Sequence, residues 1–459
     1  MWSVSSNMSP EWTSSHEMMN DNYMPPNHIP GLDRGRRLHG KRAANEGVNA
    51  LLLTLLLTTM AQSQQPETIS TGTLSLQQVL AAVRRDNPEA LAARRRWEAS
   101  RERIVQSATP AQPRLGVEGM YAASLSRAVT EPEEKTVTIT QELPFPTVLH
   151  LRHGLAAKDA AMLEQSYRAK LLEVGARART AYAMLFLAGK GISIYDESIG
   201  IMRRFSRVAE SKISAGRGAQ SDALKAQVEL TRMLNMRVTM EQEVETSGAM
   251  LNALLGREAR AALGVPQEPA PAAALLDGDA LEAAAVSDRP ELREALLAAE
   301  RAEGSLSLAR SEYLPELMFQ GRRRSDPMRG KTYDAMVGLS FPLWFWKPAA
   351  MVREARAERD MAQAEASAAR LSTQAELRAA RSRARTAQRL LEAYRTTLLP
   401  QAEESLKVAE SAYQSDRAGF LDLLDAERSL LAFRLEYYQT MAEYETRLAE
   451  LQRIVGREL

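Results

Sequence analysis

A chain whose motifs recur once, about 200 residues later, over most of its length is constrained to fold as two copies of one plan. Asn87-Pro88-Glu89 returns as Arg289-Pro290-Glu291, and Gln112-Pro113-Arg114-Leu115 as Leu314-Pro315-Glu316-Leu317. Leu143-Pro144 returns as Phe341-Pro342, and Asp222, Ala226 and Leu230 return as Asp422, Ala426 and Leu430. Gly256-Arg257-Glu258 returns as Gly456-Arg457-Glu458. The interval drifts only between 198 and 202, so insertions between the copies are small. The expected organisation is a leader with signal peptide at 1–61, an N-terminal extension at 62–73, a first repeat at 74–258, a Pro- and Ala-rich linker at 259–275 and a second repeat at 276–459.

Each repeat reads as helix, strand pair, long helix, helix. In the first, a helix over about 76–108 stops before Pro110 and Pro113. Leu115–Ala122 and Lys135–Glu142 then alternate with β-branched residues such as Val117, Val137 and Ile139, which predicts a hairpin. From 147 to 212 the period changes: Leu171, Val174, Ala178, Ala181, Leu185, Ala188, Ile192, Tyr195, Ile199 and Met202 keep an unbroken 3-4 spacing. Such a seam packs a second helix against the first, and its alanines let the axes approach closely. Ala215-Gly216-Arg217-Gly218 reverses the chain into a helix over 221–255. The second repeat predicts a helix at 280–310, strands near Glu316–Arg322 and Lys331–Phe341, a helix at 348–413 kinked by Pro400, a turn at Ser415–Gly419 and a final helix to about 455. With 45% hydrophobic residues but only 5% aromatics, the chain suits long packed helices better than a thick core.

A helix over 147–212 is roughly 100 Å long at ~1.5 Å per residue. The two shorter helices of the repeat sum to nearly that length, so they stack end to end beside it, with the strands at one end of the rod and the Gly turns at the other. Alternation puts Leu317, Phe319, Tyr333, Ala335, Val337 and Leu339 on one face of the second hairpin; Thr136, Thr138, Thr140, Asp334 and Ser340 take the opposite character. The strands have about the ~9–11 residues of a tilted membrane strand. Four strands cannot close a barrel, which takes ~8 or more, so a membrane role demands several chains.

Val48–Met60 is uncharged, follows Arg34, Arg36, Arg37, Lys41 and Arg42, and ends in Thr59 and Ala61, which predicts a signal peptide cleaved after Ala61. At 13 residues the run is too short for a spanning helix, which needs ~20. The absence of cysteine excludes disulfides, thiolate metal sites and a lipid-modified N-terminal cysteine. A balance of 59 basic against 58 acidic residues argues against an extended nucleic-acid footprint.

The duplicated unit resembles the TolC family of outer-membrane efflux channels over essentially all of 74–458. The resemblance is most specific at Pro400-Gln401-Ala402-Glu403-Glu404-Ser405-Leu406, at Ala412-Tyr413, at Phe420 to Leu431 and at Leu451 to Gly456. Gly216, Asp222, Ala226, Gln227 and Leu230 fit it too, as does the strand exit Leu143-Pro144-Phe145-Pro146. It implies a mainly α fold with a small transmembrane β part: a homotrimer whose 12-stranded outer-membrane β-barrel continues into a periplasmic α-helical barrel. Its implied partners are a periplasmic adaptor and an inner-membrane pump, and the stretches Leu143–Arg152 and Gln220–Leu230 look most like the branch paired with heavy-metal cation pumps of the resistance-nodulation-division type. Asp416 departs from the family, which usually has Gly at that place in the second tip.

Asp422 and Asp425 share one helix face just after the second tip. They read either as a carboxylate ring at the pore aperture, similar in position to the family's aperture aspartates, or as plain N-terminal caps. Asp222, near Arg217 and Arg417, reads as a tip-to-tip salt bridge or as a solvated cap. Gly216, Gly218 and Gly419 are expected to supply positive φ in the reversals, and they read either as turns and nothing more or, with Arg217 and Arg417, as a docking surface for the adaptor. Trp344 and Trp346 mark either the membrane–water interface or core at the strand–helix junction. His150 and His153, one helical turn apart, could share a metal, but two ligands without a carboxylate cluster are a weak signal, and they read rather as a solvated helix face. No nucleophile elbow, phosphate loop or metal-hydrolase motif is present, and no cofactor is expected. The leading reading is a passive export duct driven by its pump, and the alternative is a secreted coiled-coil scaffold without a pore.

Overall fold

The computed structural model describes residues 72–120, 129, 132, 134–269 and 277–458. The leader and signal peptide expected at 1–61 lie outside the described residues, as do Tyr121 and Ala122 of the first expected strand.

Strand β1 (Thr73–Leu74) leads into α1 (Leu76–Asp86), which starts on a capping box between Ser75 and Gln78. α2 (Pro88–Ala108) follows, then β2 (Arg114–Met120), β3 (Glu134–Leu143), the 69-residue α3 (Pro146–Ser214) and α4 (Gln220–Leu254). After β4 (Val265–Pro266) the order repeats: α5 (Gly278–Asp288), α6 (Pro290–Ser311), β5 (Glu316–Asp326), β6 (Gly330–Ser340), α7 (Trp346–Ala393), a π turn (Tyr394–Leu398), α8 (Leu399–Gln414) and α9 (Phe420–Val455).

Two expected helices are each broken in the middle. The 76–108 helix divides at Asn87 and the 280–310 helix at Arg289, because a proline follows each and clashes with an α conformation at the preceding residue. Asn87 and Arg289 are accordingly extended, at ψ 124° and 116°. Asn87 also fastens the break: Oδ1 accepts from the Ala90 N–H and Nδ2 donates to the Leu254 carbonyl. Gly256 and Gly456, which close α4 and α9 at φ 67° and 88°, press directly on these breaks; a Cβ at Gly456 would lie 2.5 Å from the Asp288 carbonyl. The paired Pro-Glu and Gly-Arg-Glu motifs recur together because they meet in space.

α3 is the spine. α1, α2 and α4 pack along it, as do α6 and α9 of the second half, which in turn pack on α7. The seam residues Val174, Ala178, Ala181, Leu185, Ala188, Tyr195, Ile199 and Met202 are all buried. Tyr182 is 1% exposed, and its hydroxyl lies 2.8 and 2.7 Å from the carbonyls of Leu74 and Gln267, pinning the short parallel β1–β4 pair to the spine. Burial pushes this phenol up to about 12. Between the rods, Arg179 pairs with buried Glu445 at 2.9 Å. The kink expected at Pro400 takes the form of the π turn just before it. Proline offers no N–H to the carbonyl of Thr396 and its ring crowds that carbonyl, and a widened turn relieves both.

β2, β3, β5 and β6 form one antiparallel sheet in that order. Rows of directly paired residues share a face. One face carries Leu115/Ile139/Gly321/Ala335 and Val117/Val137/Arg323/Tyr333; the other carries Gly116/Thr138/Arg322/Asp334 and Glu118/Thr136/Arg324/Thr332. The alternation read from the sequence therefore sorts into an apolar and a polar side. Among the described residues no helix is long and apolar enough to cross a membrane.

Candidate functional site

The two helix reversals sit side by side at the end of the rods away from the sheet, over a shared core that includes Phe205, Ala226, Tyr413, Phe420 and Leu423. Both are Schellman closures of the preceding helix. In the first, Arg217 N–H bonds to Lys212 O (2.8 Å) and Gly216 N–H to Ile213 O (2.9 Å); in the second, Arg417 N–H bonds to Ala412 O (2.8 Å) and Asp416 N–H to Tyr413 O (3.3 Å). The left-handed residue is Gly216 at φ 71° in one and Asp416 at φ 59° in the other. Asp is among the few side chains that tolerate this region, and so the second tip keeps the geometry of the first without its glycine.

This corrects the expectation for the other two glycines. Gly419 has φ −78° and is the extended N-cap of α9, and Gly218 lies outside the left-handed region as well. Gly218 is required for closeness, since a Cβ there would stand 2.8 Å from the Ile213 nitrogen.

The tips are joined by a residue that the sequence did not single out. Lys212, in the last turn of α3, donates to Asp416 Oδ1 at 2.5 Å and to the Tyr413 carbonyl, and its ammonium lies 4.1 Å from the centre of the Tyr413 ring. Arg217 approaches Asp416 at 3.8 Å. The Lys212 hydrogen bond holds the Asp416 carboxyl below its ordinary range. Burial raises the Tyr413 phenol, with Asp222 and Asp416 adding to the shift. The tip-to-tip ion pair expected at Asp222 is thus made within the chain by Asp416. Asp222 instead faces Lys225 at 3.6 Å, because its place in the first turn of α4 turns it toward its own helix. Among the described residues Arg417 has no ion-pair partner.

Asp422 bonds the Gly419 N–H at 2.9 Å, which is the capping role. Asp425, one turn on, is largely exposed and lies 3.8 Å from Arg428. The two carboxylates line one groove between α8 and α9 with Glu404, Ser405 and Ser429. Capping and presentation to solvent are therefore combined in Asp422.

Deeper under the tips lies a buried charge cluster. Arg428 bonds buried Glu229 at 2.5 Å, and Glu427 beside it is pushed up to about 7, chiefly by burial, with the Ser198 hydroxyl bond opposing and Glu229 reinforcing the shift. Its sequence signal was an acid standing in the seam Leu423, Glu427, Leu430. At the opposite end, Trp344 and Trp346 lie with ring centroids 5.2 Å apart and are 64% and 68% exposed among exposed Phe341, Leu343 and Phe345, so they enter no core of this chain. His150 and His153 lie on α3, and among the described residues no cluster of three or more His, Cys, Asp or Glu could hold a metal.

The family model described as outer membrane efflux protein matches residues 79–257 and 282–457. The chain belongs to the outer membrane efflux protein family. It is an outer-membrane channel protein of the TolC type. It is 23% identical over 399 residues to the cobalt-zinc-cadmium resistance protein CzcC of Cupriavidus metallidurans, covering 84% of this chain and 91% of that one. Its fold matches that of a membrane protein from Pseudomonas aeruginosa (TM-score 0.72, 18% identity, 83% of this chain and 90% of that). It also matches the outer membrane protein VceC of Vibrio cholerae (TM-score 0.70, 16% identity, 83% of this chain and 96% of that).

Proposed function

We infer that this outer membrane efflux protein is the passive exit duct of a tripartite pump and carries divalent heavy-metal cations. Three copies would pool twelve strands into one barrel, while their helices line a solvent-filled shaft down to the tips. The observation that carries this reading is the four-stranded sheet, apolar on one side and polar on the other: it is too small to close alone, and its edges cannot stand open in lipid. Trp344 and Trp346 would settle at the periplasmic membrane interface. At the other end the reversals with Gly216, Arg217, Gly218, Arg417 and Gly419 would meet a periplasmic adaptor, which links them to an inner-membrane pump of the resistance-nodulation-division type.

Asp422 and Asp425 of each chain would ring the aperture, raising local cation concentration, and Asp222 adds negative charge nearby. No tight substrate pocket is needed, since the energy comes from the pump. CzcC, named for cobalt, zinc and cadmium resistance, supports the choice of metal cations. A strain deleted for this chain should become sensitive to cobalt, zinc or cadmium and recover on complementation; unchanged metal tolerance with new drug sensitivity would reject the metal assignment.

A further inference from the structure

The sheet's two faces handle charge differently. On the polar face, Arg114 pairs with Glu142 at 3.5 Å, Arg324 with Glu134 at 2.5 Å, and Arg322 stands opposite Asp334 in the β5–β6 register. On the apolar face, the described strand residues include no acid at all. They do include three bases, Lys135, Arg323 and Lys331, all exposed and all at the end of the strands remote from the helices. Lys135 and Lys331 lie in one row on either side of Ser325, and Arg323 lies one row nearer the helices on the strand between them. Strand spacing of ~4.8 Å and a two-residue step of ~6.6 Å place the three backbone positions about 8–10 Å apart. Among the described residues none of the three has an ion-pair partner.

The position of this triangle along the membrane normal follows from strand geometry. Lys331 to Phe341 is about 33 Å of chain at ~3.3 Å per residue, which at a tilt of ~40° rises ~25 Å, the height of an outer-membrane barrel's apolar band. With the helices in the periplasm, the bases stand at the headgroup level of the outer leaflet, facing lipid. Unpaired cations there cost desolvation unless the lipid supplies anions.

We propose that Lys135, Arg323 and Lys331 form a docking site for the phosphates of an anionic outer-leaflet lipid. This rests on the outer-membrane reading of the sheet. Tyr333, beside Arg323 in its row and 74% exposed, packs its ring against the same lipid near the headgroups.

The test uses the full chain reconstituted in phosphatidylcholine vesicles doped with either diphosphorylated or dephosphorylated lipid A, then extracted in mild detergent, with retained lipid counted by native mass spectrometry. The wild type should retain at least about tenfold more of the phosphorylated form. K135Q/R323Q/K331Q should retain the two forms equally, and the polar-face control R322Q/R324Q should behave as wild type. Inorganic phosphate in large excess should leave retention unchanged. Equal retention of both lipids by a wild type that conducts in planar bilayers overturns the proposal alone; displacement by inorganic phosphate overturns it in favour of a free-anion site. Failure of the wild type to insert at all overturns the membrane reading beneath it. Should the triple variant fail to assemble, the wild-type comparison of the two lipids decides.

Discussion

Replacing Glu427 with Gln should flatten the pH dependence of the helices beneath the tips. In the wild type the carboxyl lies between α3, α4 and α9, bonded to Ser198 and near Glu229, Arg428 and Arg434, with Oε2 lacking a partner. Its folded value of about 7 stands above the 4.5 of an exposed Glu. The folded state therefore binds this proton more tightly, and the stability so gained is complete below the unfolded value and is lost as pH rises through about 7. At ~1.4 kcal/mol per unit the full loss is about 3 kcal/mol, of which about 2–3 kcal/mol falls between pH 5 and 8. Gln keeps the shape but cannot ionise, although its amide meets the same unpartnered spot and gives back part of the gain. Hydrogen–deuterium exchange of the 420–431 amides, corrected for the intrinsic pH dependence of exchange, reads this directly. Wild-type protection should fall up to roughly a hundredfold relative to E427Q over that range. Parallel profiles for the two proteins would refute the buried-acid account.

Three further outcomes follow from the same geometry. Gly456→Ala combines a left-handed backbone with a Cβ driven into the Asp288 carbonyl and should cost more than ~3 kcal/mol, whereas Gly216→Ala, with open space around it, should cost only ~1 kcal/mol; the heat-stability of the detergent-solubilised oligomer ranks them. Lys212→Met removes the hydrogen-bonded link between the tips and should increase single-channel conductance or opening frequency, while Asp222→Asn, whose ion pair is with Lys225 of its own helix, should change it less. D422N/D425N should lower the cation preference measured as reversal potential in a salt gradient, without abolishing conduction.

Regular features were readable because they repeat along the chain. The seam from Val174 to Met202 and the alternation from Leu317 to Leu339 each sample one period many times, so single departures hardly blur them. Gly216 was legible from local turn chemistry. What escaped depends on contacts far apart in sequence or on one residue overriding a pattern. The helix breaks at Asn87 and Arg289 were hidden because apolar spacing continues across them, although Pro88 and Pro290 were the clue. Positive φ in the second tip was expected at Gly419, because glycine is its usual carrier, yet Asp416 adopts it. Lys212 reaches Asp416 across 204 residues, and nothing local marks it.

Completion of a membrane cylinder by copies of this chain, prolonged by their helices as a hollow shaft, is directly testable. The most direct measurement is the mass of the purified protein in mild detergent, taken together with its current in planar bilayers. A trimer that breaks down on heating and gives steady, cation-preferring steps is expected. A water-soluble monomer that never opens a pore would contradict the shared cylinder.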